Sequence, residues 1–137
     1  MRFVDTNVLL YSISQDPSEN RKAIRANEIL DGGEIGLSVQ VLQEFYVQST
    51  RATRADAITH EQAEGLVESW CRFPVQVTSV EVMRAALATR QRFGISYWDA
   101  AILEAGRALG CSVVLSEDLD SATDYNGIRV EDPFAAD

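Results

Sequence analysis

Cysteine is scarce in this sequence: Cys71 and Cys111 are the only two, they lie far apart, and neither belongs to a CxxC pair. That excludes a disulfide-stapled scaffold and a cysteine-based zinc site, and it points to a reduced setting. Histidine occurs once, at His60, so no histidine cluster replaces the missing thiols. Long apolar runs are also absent, which excludes a membrane-spanning segment. Met1 leads directly into a strand-like stretch ending at Asp5, without a basic leader or cleavage signature, and a cytoplasmic protein is expected. Positive charge is the other deficit: 12 basic residues face 21 acidic ones, for a net charge of -9. A protein that grips nucleic acid through a broad basic face is thereby disfavoured, and any phosphate-bearing ligand must be held locally. All the basic residues but Lys22 are arginine; pairs such as Arg21 with Arg25 and Arg51 with Arg54 read as solvated helix sides.

What is present fits an ordinary folded domain. The 137 residues are 46% hydrophobic and 24% charged, and a chain of this length buries roughly two thirds of the surface its unfolded form exposes. One domain over 1–137 is expected. Arg2 to Asp5 predicts a short buried strand, followed at once by a helix from Thr6. Asp16-Pro17-Ser18-Glu19 predicts a helix start, with Gly32-Gly33 ending a helix over 17–31. A strand over 34–38 and a helix over 39–49 follow. Thr59 with Gln62 opens a helix to about Arg72, 74–77 reads as a strand, and Thr78 with Glu81 reads as a capping box for a helix ending at Gly94. Ser96 with Asp99 opens the next helix, Gly110 closes it, and Cys111 to Leu115 is a continuous buried strand; 128–130 reads as the last one. Strands separated by helices imply an α/β fold, a mostly parallel sheet of about five strands with helices on both faces.

In open sheets of this kind ligands bind beyond the carboxyl ends of the strands. Asp5 ends the first strand and Asp118 follows the strand ending at Leu115, so two sequence-distant carboxylates aim at one sheet edge. Each has a bland alternative: Asp5 suits the N-cap of the following helix, and Asp118 belongs to an acidic loop, Ser116-Glu117-Asp118-Leu119-Asp120, of a sort that is often merely solvated. Asp99 shares an apolar helix face with Ile102 and Leu103 and so calls for a partner, although a first-turn acid can be satisfied by its cap and the helix dipole. Glu44 shares a helix stripe with Gln40, Gln43 and Gln48, which reads as a wetted side; its place early in the helix after the second strand keeps it near the same edge. The pair Tyr97-Trp98 could stack on bases, but an aromatic pair opening an apolar helix more often belongs to a core or a dimer surface.

Several segments resemble the PIN-domain family, and within it the VapC-like toxins of bacterial toxin–antitoxin pairs. Asp5-Thr6-Asn7-Val8-Leu9-Leu10-Tyr11 is similar to the family's opening strand-to-helix motif, Val41-Leu42-Gln43-Glu44-Phe45 to its glutamate helix, and Tyr97-Trp98-Asp99-Ala100-Ala101-Ile102 to its third acidic motif. Ser116-Glu117-Asp118-Leu119-Asp120 resembles the fourth, and Asp132-Pro133-Phe134 a common ending of the VapC-like branch. The resemblance implies a PIN-like three-layer α/β/α sandwich and a metal-dependent endoribonuclease. In it Asp5, Glu44, Asp99 and Asp118 would be catalytic residues ligating one or two Mg2+ or Mn2+ ions, with Asn7 and Ser116 in support and Asp120 as an extra or substitute ligand. It also implies an RNA substrate, a homodimer and a small antitoxin covering the cleft.

Four acids without histidine or cysteine suit hard divalent cations. Such an ion also relieves the mutual repulsion of crowded carboxylates and lets an acidic protein accept an anionic phosphodiester. Two other readings stay open. A phosphoaspartate protein, either a receiver domain or a haloacid-dehalogenase-like phosphatase, also uses strand-end aspartates with magnesium; against it, Asn7 stands where the phosphatase needs a second acid, and Lys22 lies in an early helix, away from the site. A catalytically silent binding domain could keep the fold without the chemistry.

Overall fold

Strand β1 (Arg2–Val4) forms the middle of the sheet because its apolar residues suit burial on both sides: Phe3 and Val4 point to opposite faces and both are fully buried. The computed structural model describes residues 1–135. On one side of β1 lies β2 (Ile35–Ser38), on the other β4 (Val113–Leu115), both parallel to it. Outward from β2 runs β3 (Val75–Gln76), and outward from β4 run β6 (Ile128–Glu131) and then β5 (Asp124–Tyr125), giving the order β3-β2-β1-β4-β6-β5. Every pairing is parallel except β5 with β6.

The helices are α1 (Thr6–Ser12), α2 (Asn20–Gly32), α3 (Val39–Ser49), α4 (His60–Trp70), α5 (Val80–Phe93) and α6 (Tyr97–Ala108). Helix α6 lies directly on the sheet: a Cβ placed on Gly106 would come within 3.2 Å of Phe3 and 3.3 Å of Val114. A larger residue there would push the helix off β1 and β4. The core is filled by Leu9, Leu37, Val41, Phe45, Leu103 and Leu115, all buried, with Trp70 packed edge-on against Phe45 at 4.7 Å between ring centres. Among the described residues no helix is long and apolar enough to cross a membrane.

Three details differ from the sequence reading. The sheet has six strands among the described residues rather than about five, because Asp124–Tyr125 pairs back on Ile128–Glu131 as a hairpin. The two linking residues, Asn126 and Gly127, both have positive φ (55° and 94°), the requirement of a tight hairpin turn that Asn-Gly satisfies well. The segment expected as a helix over 17–31 begins as a 3-10 turn, Pro17–Glu19, capped by Asp16, before α2 proper. Helix α5 is capped by Ser79, whose hydroxyl accepts from the Val82 amide, and not by Thr78. The other expected caps, Thr59 with Gln62 and Ser96 with the Asp99 amide, are present.

Candidate functional site

The chain turns outward on both sides of the β1–β4 pair, β1 to β2 in one direction and β4 to β6 in the other, and parallel α/β sheets open a crevice at such a reversal. Asp5 follows β1 and its amide donates to the Leu115 carbonyl at the end of β4 (3.0 Å), so the two carboxyl ends are locked side by side. Ser116 is fully buried there and donates to Asp5 Oδ2 at 2.8 Å. Asn7, in the first turn of α1, reaches across with its amide nitrogen to Ser116 Oγ (3.1 Å), Asp118 Oδ2 (3.2 Å) and Asp5 Oδ2 (3.4 Å). The Asp118 amide in turn donates to Ser116 Oγ at 3.1 Å. One network of short polar side chains thus orients both acids.

Asp5 also caps α1, accepting from the Thr6 amide at 2.7 Å. Its cap role and its place at the crevice are two uses of one side chain, each oxygen serving one of them. Glu44 is held from two sides: Thr6 Oγ1 donates to Oε2 at 2.7 Å and Gln40 Nε2 donates to Oε1 at 2.9 Å. Gln40 also donates to the Trp98 carbonyl at 3.3 Å, tying α3 to the start of α6, where Asp99 sits. Asp5, Glu44, Asp99 and Asp118 line one cleft of about 700 Å³, together with Asn7 and the largely exposed Trp98.

Thr6 and Gln40 were not singled out from the sequence. Gln40 carried a usable signal, since it stands four residues before Glu44 on one helix side. Thr6 carried none, because its contact spans 38 residues. Asp120 is turned away: it accepts from the Ala122 amide and the Thr123 hydroxyl in its own turn, which hold its carboxyl below the usual range, and it is absent from the cleft lining. His60 lies outside the cleft, beside Tyr46 and Glu64. Lys22, expected far from the site, stands close by, but its ammonium is committed to Glu117 at 2.9 Å and to the Tyr11 hydroxyl at 3.2 Å, and it does not line the cleft.

The electrostatics of the cleft follow from burial and crowding. Burial pushes the Asp5 carboxyl up from its ordinary 3.8 to about 6; the hydrogen bonds from Ser116 and Thr6 oppose this, and the charges of Glu44 and Asp118 add to it. Asp99 is also raised, first by burial against the opposing hydrogen bond of Ser96, then by the charges of Asp118 and Glu44. Among the described residues no three His, Cys, Asp or Glu side chains stand close enough together to hold a metal ion as they are. The donor chemistry nevertheless fits a hard divalent cation: the acids offer only oxygen, they repel one another, and magnesium needs no more than one or two carboxylates when waters and substrate oxygens fill its other positions.

A family model described as PIN domain matches residues 2–125. No curated protein sequence matches the chain significantly. In structure the chain is similar to a toxin–antitoxin complex from Klebsiella pneumoniae, with a TM-score of 0.71 and 18% identity over 99% of this chain and 100% of that one. It is also similar to the DNA-bound VapBC from Salmonella typhimurium, at 0.67 and 21% over 97% and 98% of the two chains. A third is the Mycobacterium tuberculosis VapC20, a sarcin-ricin-loop-cleaving toxin, at 0.65 and 16% over 92% and 93%.

Proposed function

The chain belongs to the PIN-domain family, and from that premise we propose that it is a Mg2+- or Mn2+-dependent endoribonuclease, the toxin of a toxin–antitoxin pair, with 1–137 acting as one domain. The observation that supports it most is the convergence of four carboxylates, from four separate segments, on one cleft at the sheet edge. When bound there, a divalent cation supplies an activated water and charge neutralisation at the phosphorus being attacked. Asp5, Glu44, Asp99 and Asp118 would hold it. Asn7 and Ser116 keep Asp5 and Asp118 oriented, while Thr6 and Gln40 keep Glu44 from swinging into solvent. Single-stranded RNA suits an open cleft of this size, since its bases are free of a duplex and its backbone is flexible.

An antitoxin covering the cleft, a homodimer and a cytoplasmic setting belong to the same proposal. The exposed Val80, Met83 and Leu87 share one side of α5 and, with Trp98, offer a second copy an apolar surface. A catalytically silent binding domain is favoured by one observation, the lack of a ready-made three-ligand cluster among the described residues. Incubating purified protein with RNA, with Mn2+ or Mg2+ and with chelator, separates the two. Cleavage is expected only with metal, and only while Asp99 is intact. Equal RNA decay from Asp99→Asn, or none from the wild type, would refute the nuclease.

A further inference from the structure

Among the residues lining the cleft Arg54 is the one cation; every other charged residue there is acidic. It sits in the connection between α3 and α4, half-buried. Two segments meet at this point. The Gln15 amide, in the loop after α1, donates to Asp56 Oδ2 at 3.0 Å, and Asp56 Oδ1 lies 2.8 Å from Arg54 Nε. That ion pair has the distance of a hydrogen bond without its alignment, so Arg54 Nε is the one buried side-chain polar atom lacking a hydrogen bond among the described residues. The terminal amino groups of Arg54 also donate to no described residue. Nε is buried against Asp56 and out of a ligand's reach, so the donors left to meet one are the two terminal amino groups, in a cleft whose remaining charge repels anions.

Resting on the nuclease reading above, we infer that Arg54 is the substrate's phosphate-binding residue: Asp56 fixes the inner edge of the guanidinium and leaves its outer fork for a backbone phosphate of single-stranded RNA. A guanidinium presents two parallel N–H donors to two phosphate oxygens, which a point charge does not. Arg54 would hold the strand at a phosphate within the same cleft, the acids being reserved for the cation.

The test uses a fluorescent single-stranded RNA on the full chain, cleaved by the wild type and held uncleaved in an Asp99→Asn background. Arg54→Gln is expected to raise KM about tenfold with kcat nearly unchanged, and to weaken binding by a similar factor. The slope of log affinity against log salt should become shallower by about 0.7, the loss of one phosphate contact on a single strand. Arg54→Lys should keep the slope and recover part of the affinity. A Gln variant that loses affinity but keeps the wild-type slope would make Arg54 a staple of its loop and overturn the inference, as would unchanged binding. A wild type that neither cleaves nor holds RNA would take down the nuclease reading itself. Cleavage indifferent to Arg54 would take down only this one.

Discussion

In the metal-free protein Asp5→Asn should gain stability relative to the wild type as pH rises. The residue is 7% exposed, and burial pushes its carboxyl up from the ordinary 3.8 to about 6. Between those values the folded state holds a proton more tightly than the unfolded one, so wild-type stability falls as pH rises through that window. Above it the whole difference is felt: about two units at 1.4 kcal/mol each, or about 3 kcal/mol. Asparagine is as good an N-cap as aspartate and keeps an oxygen for the Thr6 amide, but its amide nitrogen replaces the Oδ2 that accepts from Ser116 and Asn7, a loss that is the same at every pH and leaves the pH-dependent part intact. For a chain of this size about 3 kcal/mol corresponds to about 6–10 °C in Tm, the amount by which the difference between variant and wild type should change across that window. Thermal melts in chelator should show the variant's Tm, relative to the wild type's, rising by most of that amount between pH 4 and pH 8. Adding Mn2+ at pH 8 should then raise the Tm of the wild type more than that of Asp5→Asn. A Tm difference between variant and wild type that does not change with pH in chelator would refute the reasoning.

Two further outcomes follow from particular contacts. Thr6→Val removes the 2.7 Å hydrogen bond to Glu44 at nearly constant volume, and loss of such an orienting partner should weaken Mn2+ binding about tenfold in calorimetric titration. Unchanged affinity would show that Gln40 alone positions Glu44. Arg107→Ala leaves Glu104, 5% exposed, without its 2.9 Å ion pair and frees the Tyr125 and Asn126 carbonyls that Arg107 ties to α6. Denaturant melts should show a loss of about 2–3 kcal/mol, below the range for fully buried pairs because the Arg107 side chain is 34% exposed.

Much of this architecture can be read along the chain because its signals are local. Caps at Thr59 and Ser96, the glycine stops at Gly33 and Gly94, and the apolar stretch before Ser116 are properties of a few neighbouring residues. The hairpin at Asn126-Gly127 carries such a turn signal too, but a two-residue strand has almost no pattern of its own to pair with it. The choice between Asp118 and Asp120 could not be made that way. Both are loop acids two residues apart, and only a residue 111 positions from Asp118, Asn7, distinguishes them. Thr6 reaching Glu44 is of the same kind.

Arg54 shows where reading by segments fails most. Beside Arg51 it looks like half of a solvated pair, and nothing nearby in sequence hints that it ends up among acids. Its setting depends on Gln15, 39 residues earlier, docking on Asp56 and bringing the loop after α1 against the connection from α3 to α4. If Arg54 holds a phosphate as inferred, the chain's net charge of -9 is a poor guide to what its cleft accepts. Average charge governs long-range attraction, screened beyond about 10 Å at ordinary salt. Within hydrogen-bonding distance of a phosphate, the placement of one guanidinium decides more than the sum of the surface acids.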